Sequence, residues 1–108
     1  MSEAEDLDII GNIKLIESYK NYLLSSVADL FMTMGKGSHM DMDEAKDELS
    51  EIILLSYLLG RKLGMNYSSI DETVVKRLKL GLAEGMAMEQ KCQDYSSLIS
   101  YIKGQRMD

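Results

Sequence analysis

The stretch that most constrains this chain is residues 49–59, LSEIILLSYLL, a helix-length segment that is apolar almost all the way round. A helix with apolar side chains on nearly every side has to be covered by more than one neighbour. Running into it, Glu44, Asp47, Glu48 and Glu51 recur at steps of three and four, so they share one face of the first two turns. Like charges at this spacing repel by about 0.2–0.5 kcal/mol per neighbouring pair, and a cation or a basic partner would relieve that repulsion. On these residues alone, the first reading is a solvated acidic helix start favoured by the helix dipole. Against it, Leu49, Ile52, Ile53, Leu54 and Leu55 crowd around Glu48 and Glu51.

The rest of the chain is helical by the same criteria. There is no proline, no tryptophan and no strand-like alternation, while Leu, Met, Lys, Glu and Ala favour helix. A first helix is expected from near Asp8 to Met34, after a flexible acidic N-terminus over 1–7. Its seam would be Ile9, Ile13, Ile16, Leu23, Val27, Leu30 and Met34, with Lys20 filling one slot. About 27 residues at ~1.5 Å each give roughly 40 Å, long for so small a chain. Glycines mark a loop over Gly35–His39. A second helix follows from Asp41 or Asp43 to Leu63, closed by Gly64. The third is expected to start at Ser69, where Ser69 and Glu72 form an S-x-x-E capping box, and to bury Ile70, Val74 and Leu78. After a break between Gly81 and Gly85, a last helix from Met86 to Lys103 carries Met88, Cys92, Tyr95, Ile99 and Ile102 on one side and stops at Gly104.

At 108 residues, the pattern predicts a single all-α domain, a four-helix bundle completed by oligomerisation. The net charge of −6 argues against nucleic-acid or anionic-membrane partners. A single cysteine allows no internal disulfide and no cysteine-based zinc cluster. With no signal-peptide pattern and no membrane-length apolar run, a cytoplasmic location is expected.

Glu48-Leu49-Ser50-Glu51, the apolar helix after it and Tyr57-Leu58-Leu59-Gly60-Arg61-Lys62-Leu63-Gly64 resemble the MazG-like all-α nucleoside triphosphate pyrophosphohydrolases over about residues 13–80. In that superfamily, E-x-x-D opens an apolar helix ending in L-G, and E-E-x-x-E lies on the long helix before it. The resemblance implies magnesium held by Asp29, Glu48 and Glu51, with Glu48 and Glu51 catalytic. It also implies a nucleotide attacked by water between its α and β phosphates. There are two departures, of which the second reduces the acidic set. Glu51 stands where Asp is usual, and the earlier motif is Ser25-Ser26-Val27-Ala28-Asp29-Leu30, with one acid of three. Ser25 and Ser26 can hold metal-bound water but supply no charge. Such a site would hold magnesium more weakly and with fewer ions. The alternative is a catalytically inactive helical oligomer that keeps the fold as a binding or regulatory module.

Other candidates have plainer readings. Lys76, Arg77 and Lys79 form a basic stretch that reads first as a solvated face, although the resemblance gives Lys76 a place near nucleotide phosphates. His39 is alone in its loop. The tyrosines fit half-buried helix positions before they fit base stacking. Cys92 fits a core position and has no base near it in sequence.

Overall fold

The computed structural model describes residues 3–84 and 89–106, and the side chains of residues 10–84 and 93–105. The chain is all-α: α1 (Glu3–Met34), a 3-10 turn (Gly37–His39), α2 (Met42–Lys62), α3 (Tyr67–Ala83) and α4 (Glu89–Arg106). No strand occurs among the described residues, and none of their helices is long and apolar enough to cross a membrane. Two compact units divide between Met65 and Asn66.

The first unit is an antiparallel hairpin of α1 and α2. α1 begins at Glu3 rather than near Asp8. No glycine or proline precedes Gly11, and Glu3, Glu5 and Asp6 lie in the first turns, where the helix dipole favours acids. Gly35 and the 3-10 turn reverse the chain, with Gly37 at φ +58°. Asp41 then caps α2, its carboxylate accepting from the backbone N–H groups of Asp43 and Glu44 at 2.9 and 3.3 Å. The far end closes on Gly64, whose φ of +96° is open to glycine and strained for other residues. There the N–H of Met65 donates to the Gly60 carbonyl at 2.9 Å, and that of Gly64 to Arg61 at 3.1 Å. That pairing is a Schellman closure.

Hairpin contact is made on one stripe of each helix. From α1 come Asn12, Ile16, Tyr19, Leu23, Leu30 and Thr33, all half-buried or buried. From α2 come Ala45, Glu48, Ile52, Leu55, Leu59 and Lys62, with Ala45 and Leu55 fully buried. The expected seam is therefore rotated: Ile13 and Met34 are exposed, and polar Asn12 and Thr33 take contact positions. Their partners on α2 explain the rotation. The Asn12 side-chain amide donates to the Lys62 carbonyl at 3.5 Å, and the Thr33 hydroxyl to Glu48 at 3.0 Å. The side chain of Ile9 lies outside the described residues.

The apolar run of α2 is only partly covered by α1. Leu49, Ile53 and Met42, spaced by seven and four, remain exposed, as do Ile13, Leu24 and Phe31 of α1, spaced by eleven and seven. Each set lies about 100–120° round its axis from the hairpin contact, in the same screw sense, at ~100° per residue. Because the helices run antiparallel, the same sense places both sets on one side of the hairpin. Asp29, Glu44, Asp47 and Glu51 fall on the other side by the same reckoning. The hairpin thus has an apolar side and, opposite it, a side on which these carboxylates alternate with the exposed Leu15, Tyr22 and Leu54.

The second unit pairs α3 with α4. α3 starts at Tyr67, with Asn66 in extended conformation as its N-cap, so the capping box expected at Ser69 does not form the helix start. Asn66 makes no side-chain cap hydrogen bond; its extended backbone, φ −80° and ψ 150°, marks where the helix begins. Ser69 instead lies within the helix and donates its hydroxyl back to the Asn66 carbonyl at 2.7 Å. The buried face runs through Asp71, Val75, Leu78 and Leu82, at steps of four, three and four, which leaves Val74 exposed. Tyr95, Ile99 and Ile102 of α4 are half-buried as expected. The helix continues through Gly104 to Arg106 instead of stopping there. Met86, Met88 and the side chain of Cys92 lie outside the described residues.

Candidate functional site

Helical phase alone puts Glu48 on the hairpin contact and at the border of its carboxylate side. Thr33, on the last turn of α1 and only 2 % exposed, meets it there. The Thr33 hydroxyl donates to Glu48 Oε2, and the second carboxylate oxygen, Oε1, is buried with no hydrogen-bond partner. A buried acceptor left without a donor costs about 1–3 kcal/mol, and more when it carries charge. A cation at Oε1 would offset that cost.

Glu51 lies one turn beyond Glu48 on α2, and Asp29 one turn before Thr33 on α1. Since Thr33 pairs with Glu48 in an antiparallel hairpin, Asp29 stands level with Glu51 on the carboxylate side. Both are exposed, and neither makes a hydrogen bond or ion pair among the described residues. The three acids are on neighbouring turns but are not drawn together: among the described residues, no group of three or more His, Cys, Asp and Glu side chains is placed to hold a metal ion. Ser26 is half-buried and Ser25 exposed at the positions where the superfamily carries its missing acids. At the loop end of this side, Lys36 reaches Glu44 at 3.8 Å between exposed side chains, a contact too solvated to contribute much stability.

The second unit carries the basic residues. Lys76 is exposed on α3. Lys79 lies against Lys103 of α4; its hydrogen bond and its charge, with a smaller contribution from desolvation, hold the Lys103 ammonium below the usual lysine range. Between α3 and α4, a cavity of about 450 Å³ is lined by Val74, Leu78, Gly81 and Tyr95, with Arg77 and Glu84 adding one charge of each sign. His39, alone in the 3-10 turn, is exposed.

The residue that sequence reasoning missed is Thr33. Its only signal in the sequence is its place four residues after Asp29, on the same face of α1.

A family model described as the MazG-like family matches residues 9–95 of the chain. No curated protein and no solved structure matches it significantly.

Proposed function

The chain belongs to the MazG-like family, and from that premise we propose that it is a magnesium-dependent nucleoside triphosphate pyrophosphohydrolase with a reduced metal site. The observation that carries this reading is the buried, unpartnered Oε1 of Glu48, an oxygen of the type hard magnesium prefers. Glu48 would hold the ion, with Asp29 and Glu51 turned toward it. Both are exposed and unpaired among the described residues, so their side chains can rotate without breaking a contact. The ion, when bound, supplies neutralisation of phosphate charge. The chain itself has to supply orientation. Its one histidine, His39, is exposed in the turn, so a carboxylate of the Glu48–Glu51 pair would accept a hydrogen bond from the attacking water and aim it. Water then adds at the α phosphorus and gives up a proton to that carboxylate, the bond to the bridging oxygen breaks, and pyrophosphate departs from the nucleoside monophosphate.

The apolar side of the hairpin supports a second element of the proposal, a homodimer or higher homo-oligomer in which another copy covers Leu24, Phe31, Leu49 and Ile53. The charge of −6 supports partners other than nucleic acid.

A catalytically inactive binding module is the second reading, favoured by Ser25 and Ser26 in place of acids and by the separation of the three that remain. Pyrophosphate release over a panel of nucleoside triphosphates, with and without magnesium, separates the two. The enzyme reading expects release that needs magnesium and is lost in Glu48→Gln. Release from none of the panel would count against the enzyme reading and favour the binding module.

A further inference from the structure

Thr33 is the most deeply buried polar residue of the hairpin, 2 % exposed, and its hydroxyl has a single partner, Glu48 Oε2 at 3.0 Å. A helical threonine can turn its hydroxyl back to a backbone carbonyl one turn earlier, and that of Thr33 is turned to Glu48 instead. Its one proton is committed to Oε2. That bond holds one oxygen of the carboxylate, and the other, Oε1, is buried and without a partner. A glutamate without this clamp would have three side-chain torsions to order on binding an ion, and either oxygen would serve.

We propose that Thr33 is a positioning residue that holds Glu48 by Oε2 so that Oε1 is presented to the cation. The inference rests on the reading of Glu48 as a magnesium ligand. It also gives a physical account of how a chain with one acid of three in its earlier motif would keep a cation site: a neutral donor on α1 orients the one carboxylate at the contact, and the exposed acids Asp29 and Glu51 add charge. Partners that hydrogen-bond a metal ligand from behind typically change metal affinity by about 10–100-fold when removed.

The test is titration of magnesium chloride into the metal-free full chain, for the parent, Thr33→Val, Thr33→Ser and Glu48→Gln, alongside thermal unfolding without metal. Thr33→Val keeps the shape and removes the donor; Thr33→Ser keeps the donor. Magnesium affinity is expected to fall by about tenfold or more in Thr33→Val and to stay near the parent value in Thr33→Ser. A purely structural threonine would lower the unfolding temperature of Thr33→Val and leave the affinity of its folded form unchanged. That result, with the parent binding and Glu48→Gln not binding, overturns the positioning role alone. A parent that binds no magnesium overturns the reading of the site, and the positioning role with it.

Discussion

Leu55→Ala is expected to cost about 2–5 kcal/mol, enough to remove much of the stability of so small a domain. Leu55 is 3 % exposed, and among the described residues of the first unit only Ala45 accompanies it as a fully buried apolar side chain. It lies mid-way along α2, flanked one turn to either side by half-buried Ile52 and Leu59. Truncation removes the transfer free energy of the side chain and leaves a cavity that two rigid helices can close only partly. Denaturant unfolding reads the loss as a lower midpoint at unchanged slope. A change below about 1 kcal/mol would mean that the hairpin contact is not centred on this residue.

In sedimentation at micromolar concentration, the protein is expected to run at twice its 12.2 kDa chain mass or more. The argument comes from the apolar side of the hairpin, where Leu24 is 72 % exposed and Phe31 63 %. Soluble monomers rarely leave a contiguous apolar patch larger than roughly a few hundred Å². A two-fold interface is self-complementary, so a single patch is enough to build it. Charged substitutions at the centre of the patch, Leu24→Glu or Ile53→Glu, should then shift the species toward the single-chain mass, because each buries an unpaired charge in the assembly. A compact 12.2 kDa species at the same concentration would rule the assembly out.

The parts of the fold legible in the sequence are those set by local backbone chemistry. Gly35, Asp41 and Gly64 each act within one turn of themselves, and the end of α1, the start of α2 and the end of α2 lie where they indicate. Local signals misplaced the start of α3 because Ser69 and Glu72 match a capping box, whereas the helix begins two residues earlier, after an Asn66 that makes no side-chain cap bond. Gly104 reads as a stop, yet α4 continues to Arg106. A glycine in a helix costs only about 1 kcal/mol, and neighbouring contacts can offset it.

The direction of burial was less legible. The half-buried Ile16, Leu23, Val27 and Leu30 were visible as a seam, but Asn12 and Thr33 count as polar in any periodicity and find their place only through partners on α2. The candidate site divides in the same way. Glu48 and Glu51 stand out by spacing before an apolar helix. The clamp on Glu48 depends on the register between two antiparallel helices, which no local pattern encodes.

The most direct test of the central claim, that Glu48 presents an oxygen to magnesium, is calorimetric titration of magnesium into the protein with and without a non-hydrolysable nucleoside triphosphate. Saturable binding at millimolar magnesium is expected in the parent, tighter with nucleotide because phosphate oxygens complete the coordination shell. Binding should also raise the melting temperature by an amount that grows with metal concentration. Glu48→Gln, which removes charge at nearly constant shape, is expected to lose both responses while remaining folded. Absence of binding in the parent under both conditions, or unchanged binding in Glu48→Gln, would contradict the claim.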